Sequence, residues 1–305
     1  MEKFDVIIPV LYDDLKIVMD YYPLFKKNLP IKKIILVGND KVKNELENDN
    51  RFFFINEDKI YKGMTLDSIR ESLRNLGDSE KRGGWYFQQF IKMAYAYICE
   101  GEYYIVWDSD TIPLKEITFK DKSSDICFFN IKNEYNKPYF TTINTLFQCD
   151  LEKVIEGSFI TEHMIFNCTI MKELIEKINS NQKIKGNSFW EKVLNAININ
   201  DISGSGFSEF ETYGNYYYKY YPEKFQIRKL KTIRYGKVLF GEKPTNQQLE
   251  WVAKKYDTIS FEKSHLRSRF YQIWSNNFFY KIIPFECFEK FLNGIKKIKH
   301  KKHTF

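Results

Sequence analysis

The sequence lacks the two phosphate cradles most easily read from a chain: neither G-x-G-x-x-G nor G-x-x-x-x-G-K-[ST] occurs anywhere in its 305 residues. That disfavours a dinucleotide oxidoreductase and a P-loop kinase. The five cysteines, Cys99, Cys127, Cys149, Cys168 and Cys287, are odd in number and scattered, with no C-x-x-C and no zinc-ligand spacing, so they read as reduced thiols in a reducing compartment. No apolar run approaches the length that spans a bilayer, and the stretch Met1 to Val10 offers no cleavable small-residue site. The expectation is a cytoplasmic protein. Strong basic patterning is missing too. The net charge of +7 is modest and gathers in the tail GIKKIKHKKHTF (294–305), which argues against nucleic acid as a partner. With Ile295 and Ile298 interspersed, that tail suits peripheral contact with anionic lipid at the inner face of the plasma membrane.

What is present is enough apolar residue, 43% of the chain, to build a real core. FDVIIPV (4–10), KIILVG (33–38) and RFFFIN (51–56) are short β-rich runs separated by helix-like segments, the first of them spanning Tyr12 to Asn28. Strands alternating with helices imply βαβ units and a mostly parallel sheet with helices on both faces. Ligands of such sheets gather at the carboxyl ends of the strands, which places Pro9, Val10, Tyr12, Gly38, Asn39, Asp40 and Asp58 near a nucleotide. Helices are expected over 64–76, 84–99, Ile170–Asn179 and Phe189–Ile197, with a Gly-Ser break at SGSGFS (203–208). The simplest organisation is one α/β domain over 1–275, a nucleotide half to about 130 and an acceptor half beyond it, followed by a C-terminal extension over 276–305.

Sixteen aspartates would supply about one D-x-D triplet by chance, so context has to carry the motif. Asp108-Ser109-Asp110 ends the apolar run Tyr104-Ile105-Val106-Trp107, and Pro113 stops regular structure soon after. Two carboxylates at a strand's carboxyl end repel unless a cation neutralises them, and a strand's period of two points both the same way while the chain stays extended. Oxygen ligands of this kind suit Mg²⁺ or Mn²⁺, which stabilises a departing nucleoside diphosphate.

Other polar residues are weighed against ordinary structural roles. Gln88 and Lys92 are four apart on the preceding helix with Gln89 beside them; they face a nucleotide or form the wet side of an amphipathic helix. Glu162 and His163 adjoin Met164-Ile165-Phe166, as a proton-transfer pair or as a satisfied structural pair. In GFSEFETYGN (206–215), Ser208 and Glu211 fit a capping box, which leaves Glu209 as the first choice for the acceptor base or a donor-sugar contact. Arg267 and Arg269 alternate near His265 and suit a diphosphate.

The run GGWYFQQFIKMAYAYICEGEYYIVWDSDTIPL (83–114) resembles the donor region of GT-A-type glycosyltransferases, in which a helix leads into an apolar strand ending in D-x-D. With TEHMIF (161–166) and GFSEFETYGN (206–215) it resembles a bacterial family of largely unassigned activity associated with surface polysaccharide genes, over roughly residues 1 to 275. The resemblance implies a GT-A-like Rossmann-type sandwich with a C-terminal helical extension, a divalent metal, and a nucleotide-sugar donor, UDP-linked. It places Asp110 as the direct metal ligand and Asp108 on the ribose or the metal's water; Ser109 and Glu211 are counted with them as candidate nucleotide-sugar contacts. Similar enzymes in the family that includes glycogenin add a histidine, for which His265 is the candidate. The expected function is metal-dependent transfer of a sugar to a hydroxyl of a bacterial surface glycan or its lipid-linked precursor. The alternatives are a nucleotidyl- or phosphoryltransferase of sugar-nucleotide metabolism and a non-catalytic glycan- or nucleotide-binding protein.

Overall fold

The computed structural model describes residues 2–77, 80–262, 280 and 282–290. The chain opens with β1 (Phe4–Pro9), α1 (Tyr12–Asp20), α2 (Tyr22–Asn28), β2 (Ile31–Gly38), α3 (Asp40–Glu45) and β3 (Phe53–Asn56). It continues through α4 (Leu66–Asn75), α5 (Gly83–Ala94), β4 (Tyr103–Trp107), β5 (Thr111–Pro113), β6 (Cys127–Asn130) and α6 (Lys137–Leu146). Then come β7 (His163–Asn167), α7 (Cys168–Ser180), α8 (Phe189–Ala196), α9 (Glu209–Tyr220), β8 (Phe225–Arg228) and β9 (Thr232–Ile233). Short α10 (Gly236–Phe240), α11 (Asn246–Ala253) and β10 (Thr258–Ser260) follow.

The long helix expected from Tyr12 to Asn28 is two helices. Pro23 sits in the first turn of α2, where its missing N–H costs nothing, and a second helix starts there instead of the first continuing.

The described residues pack as two units that interleave in sequence: 2–16, 30–77, 80–109 and 118–229 in one, 17–29, 110–117, 230–262, 280 and 282–290 in the other. The expected partition at about 130 and at 275 follows chain order, whereas the packing does not. In the first unit the main sheet has the order β3-β2-β1-β4-β7. All neighbours are parallel except β7, which runs antiparallel to β4 with Trp107 opposite His163. Every residue of β1 and β4 is buried, as a parallel strand covered on both faces requires. Asp5 is the polar exception inside β1; it accepts a hydrogen bond from Tyr95 Oη at 2.9 Å and pairs with Lys33 at 3.5 Å. The expected strand near 125–130 is β6, which pairs with β8 in a separate two-stranded sheet.

The tyrosine-rich helix α9 is core: Tyr213, Tyr216 and Tyr217 are fully buried. Tyr213 Oη accepts from the Asn167 amide at 2.7 Å, and Tyr216 Oη donates to Glu173 at 2.5 Å. A helix interior disfavours glycine, but a Cβ on Gly214 would lie 2.3 Å from the Phe159 ring, so this close approach selects it.

In the second unit β5, β10 and β9 form a three-stranded sheet, with β10 antiparallel to β5 and parallel to β9. Residues 285–290 are helical, and Phe285 and Phe288 pack on Trp251, whose indole donates to Ile283 O at 2.8 Å. The remainder of the expected C-terminal extension, with the basic tail from residue 291, lies outside the described residues. Among the described residues no helix is long and apolar enough to cross a membrane.

Candidate functional site

In the first unit the carboxyl ends of β3, β2, β1 and β4 bring together the residues that the strand pattern singles out. Pro9 and Val10 are buried at the end of β1, with Val10 N donating to Val37 O at 2.9 Å. Asn39 caps α3, its side chain accepting from Lys41 N at 3.1 Å, and exposed Asp40 accepts from Asn56 Nδ2 at 3.1 Å. Tyr12 and Asp58 are exposed. Glu57, beside Asp58, was not singled out by the sequence pattern: burial, then the Asp58 charge, pushes its carboxyl up to about 7. The adjacent acidic pair after an apolar strand was the signal available for it.

The densest chemistry lies at the end of β4. Lys92 Nζ, on α5, donates to Asp108 Oδ1 at 2.7 Å and to Glu209 Oε1 at 2.7 Å. Side-chain exposure falls along this chain of charges, from 34% at Asp108 to 8% at Lys92 and 4% at Glu209. Burial alone would lower the Lys92 ammonium, but the Asp108 and Glu209 carboxylates outweigh it and hold the group above its ordinary range. Burial raises Glu209 despite the pull of Lys92. Lys92 also lies 4.5 Å from the Phe210 ring centroid. The amide of Glu209, first residue of α9, donates to Gln89 Oε1 at 3.1 Å. Gln89 and Lys92 are therefore buried and committed to α9 and β4, while Gln88 is half-buried. Gln89 and Lys92, weighed in the sequence as nucleotide contacts or as part of a wet helix face, are instead covered because α9 starts against them.

The segment leading into Glu209 looks like a loose Gly-Ser break by composition, yet it is fastened along its length. Tyr86 Oη donates to Ile202 O at 2.8 Å, Arg82 Nε to Gly204 O at 2.7 Å and Arg82 Nη2 to Ser205 Oγ at 3.1 Å. Asn136 Nδ2 donates to Ser205 O at 3.1 Å and Thr142 Oγ1 to Gly206 O at 2.7 Å. A Cβ on Gly206 would meet Ile197 Cγ2 at 2.4 Å, so only glycine lets the strap lie this close.

The D-x-D turn differs from the extended geometry expected of it. β4 ends at Trp107, and Ser109 and Asp110 form a turn, so the period-two argument stops at the strand's end. Asp108 N donates to Glu162 O at 2.9 Å, and Ser109 is buried. Asp110, in the second unit, accepts from Thr111 Oγ1 at 3.2 Å and, through its carbonyl, from Phe261 N at 2.8 Å.

Glu162 is buried in an ion pair with Lys132. His163 is buried too, stacked on Trp107 with ring centroids 4.7 Å apart and against the edge of Phe119. Burial, then the Arg228 charge, pushes its imidazole down to about 3, so it is neutral at physiological pH. Ser208 caps α9 by accepting from Glu211 N at 3.2 Å, but the reciprocal half of the expected capping box is missing. The Glu211 carboxylate instead takes the Ser158 hydroxyl and Asn215 Nδ2. His265, Arg267 and Arg269 lie outside the described residues.

An α/β protein with a charged cluster at the carboxyl edge of its sheet is thus defined. Residues 40–265 match a family of unknown function, DUF6492, and the chain belongs to that family. No curated protein matches it. Among solved structures it is similar to mouse xyloside xylosyltransferase 1 (10% identity, 86% of this chain and 98% of that one, TM-score 0.42). It is similar also to the galactosyltransferase LgtC (8% identity, 86% and 88%, TM-score 0.39). A third likeness is to the glycosyltransferase GlyE of Streptococcus pneumoniae TIGR4 (10% identity, 96% and 64%, TM-score 0.39).

Proposed function

We propose that this protein is a glycosyltransferase that moves a sugar from a UDP-linked donor to a hydroxyl of a bacterial surface glycan or its lipid-linked precursor, with Mn²⁺ or Mg²⁺ at the D-x-D turn. The observation that carries the reading is Lys92 bridging Asp108 and Glu209 at the carboxyl end of β4. A buried lysine and a buried glutamate are expensive to maintain, and here they serve to hold one partly exposed carboxylate at the edge where α/β sheets bind ligands.

The residues fit a hard divalent ion in kind. Asp108 offers carboxylate oxygen, of which Lys92 engages only Oδ1, and ions of the Mg²⁺ class take one or two protein carboxylates with substrate phosphates and water completing the shell. Among the described residues no three His, Cys, Asp or Glu side chains gather as a closed cage. The sequence supplies Asp110 as the second carboxylate. When bound, the ion offsets the charge of the diphosphate leaving group.

The chain's own groups then divide by exposure. Asp108 is the group that meets substrate. Lys92 fixes its orientation and tempers its charge. Glu209 is a positioning residue: its 4% exposure and its bond to Lys92 suit it to hold the lysine better than to accept a proton from a sugar hydroxyl. Glu162 steadies the end of β4 through its carbonyl, and His163 packs it.

A thermal-shift panel of UDP, GDP, CDP and dTDP, with and without Mn²⁺, tests the reading. UDP with Mn²⁺ is expected to raise Tm, and Asp108→Asn to abolish the metal-dependent part. Slow release of UDP from a UDP-sugar should accompany it. If no nucleoside diphosphate shifts Tm in the presence of the metal, the proposal fails. Diphosphate release from a nucleoside triphosphate would point to a nucleotidyltransferase instead.

A further inference from the structure

At the opposite, amino end of β4 two thiols share one acceptor. Gly101 O accepts from Cys99 Sγ at 3.5 Å and from Cys168 Sγ at 3.2 Å. The backbone holds them together: Cys168 N donates to Glu102 O at 2.8 Å, and the next residues, Tyr103 and Asn167, are paired in the sheet. Both sulfurs approach one carbonyl oxygen and a side-chain hydrogen bond links the two thiols, so they are neighbours of the kind that a disulfide, with its S–S length of about 2.05 Å, joins.

The two differ in access. Cys99 is half-buried, between exposed Ile98 and Glu100, while Cys168, first residue of α7, is buried. A hydrogen bond from Cys168 holds the Cys99 thiol below its ordinary range against the opposing effect of burial, and Lys33 adds to it. Cys99 and burial together push the Cys168 thiol up. One thiol is thus the accessible, more acidic one, and its neighbour a protected, protonated one.

We propose that Cys99 and Cys168 form a peroxide-sensitive dithiol that closes to an intramolecular disulfide. The Cys99 thiolate attacks a peroxide O–O bond, giving Cys99 sulfenic acid and releasing hydroxide. The Cys168 thiol then attacks that sulfur, the S–O bond breaks, and water leaves with the Cys168 proton. Two thiols are oxidised by two electrons and one hydrogen peroxide is reduced to two waters. Stapling the chain from Cys99 to Cys168 encloses Asp108, Glu162 and His163 in one covalent loop. The inference is independent of the proposed transferase activity.

The other thiols act as internal controls. Cys127 is buried with its thiol pushed up to about 12 by burial, and Cys149 and Cys287 are exposed. The wild-type protein is treated with limiting hydrogen peroxide, alkylated, digested and analysed by mass spectrometry. The expected result is a Cys99–Cys168 linked peptide as the main oxidised product, loss of two titratable thiols per chain, and full recovery with dithiothreitol. Cys168→Ser should stop at a dimedone-reactive sulfenic acid on Cys99. Oxidation of Cys149 or Cys287 while Cys99 and Cys168 remain alkylatable would overturn the proposal, as would linkage of Cys99 only between chains.

Discussion

The first turn of α9 carries two buried carboxylates two residues apart, and they belong to different regions of the molecule. Glu209 faces α5 and the end of β4, where Lys92 joins it to Asp108. Glu211 faces the segment before β7, where the Ser158 hydroxyl donates to it, and Asn215 Nδ2 on its own helix donates to it as well, while Asn215 Oδ1 accepts from Val154 N at 2.9 Å. Burial raises both carboxyls. A raised carboxyl is therefore no marker of function in this helix. What separates the two is where the next partner leads: from Glu209 the chain of contacts reaches a partly exposed carboxylate at the carboxyl end of β4, and from Glu211 it reaches a buried hydroxyl, a buried amide and then the backbone of Val154.

The comparison is most exposed to attack at Lys92. Removing one partner of a buried ion pair leaves the other charge uncompensated, so Lys92→Met should cost about 3–5 kcal/mol in urea denaturation. Glu211→Gln keeps an acceptor for Ser158 and a group for Asn215, and should cost less than about 1.5 kcal/mol. Adding Glu209→Gln to Lys92→Met should recover part of the first loss, because the double variant buries no unpaired charge. Equal costs for Lys92→Met and Glu211→Gln would erase the distinction between the two regions.

A third buried titratable group sharpens it from the structural side. Burial, which disfavours the charged form, pushes the His163 imidazole down to about 3 in the folded chain, against 6.5 for an unperturbed imidazole. The unfolded chain therefore binds one more proton between those values, and stability rises with pH across that window. The contribution is complete above about pH 6.5 and is lost as pH falls toward 3. At 1.36 kcal/mol per pH unit it amounts to about 2–3 kcal/mol between pH 6.5 and 4.5. His163→Phe, which keeps a ring against Trp107 and Phe119, should flatten that part of the pH dependence while leaving nucleotide-dependent shifts in Tm intact. A variant that instead lost the UDP shift at constant pH would move His163 into the binding region.

Much of this was legible in the sequence because it is local. Continuous apolar runs gave β1, β2 and β4, and alternation with helices implied the parallel sheet. The apolar run ending in Asp108 placed that residue at the carboxyl edge of the sheet. Long-range partners left no such trace. Nothing in the chain shows that Lys92 meets Glu209, 117 positions on. The capping signal S-x-x-E was half right: Ser208 accepts from the Glu211 amide, but the glutamate finds better partners in tertiary structure than in the helix end. The interleaved units were hidden because a boundary that crosses the chain repeatedly needs no linker. The Gly-Ser segment misled in the opposite sense, since composition reports what a backbone can do when nothing holds it, and side chains from α5 and near α6 hold this one.

That strap yields the smallest effect. Arg82 contributes two bonds to residues 204 and 205, one exposed and one part-buried, and stacks over Trp85 at 4.3 Å, in a setting where each bond is worth about 0.5 kcal/mol net. Arg82→Ala should therefore lower stability by only about 1 kcal/mol, with Tyr86, Asn136 and Thr142 still fastening the segment. On the proposed transferase reading, its effect on UDP release from a UDP-sugar should nevertheless be visible as a several-fold lower kcat at unchanged KM, because the strap sets where Glu209 enters α9 and hence where Lys92 holds Asp108. Arg82→Lys, able to reach Gly204 O but not to make both bonds, should fall between the two. If kcat is unchanged in both variants while stability drops as expected, the strap serves the core alone and Glu209 is held well enough by Gln89 and Lys92.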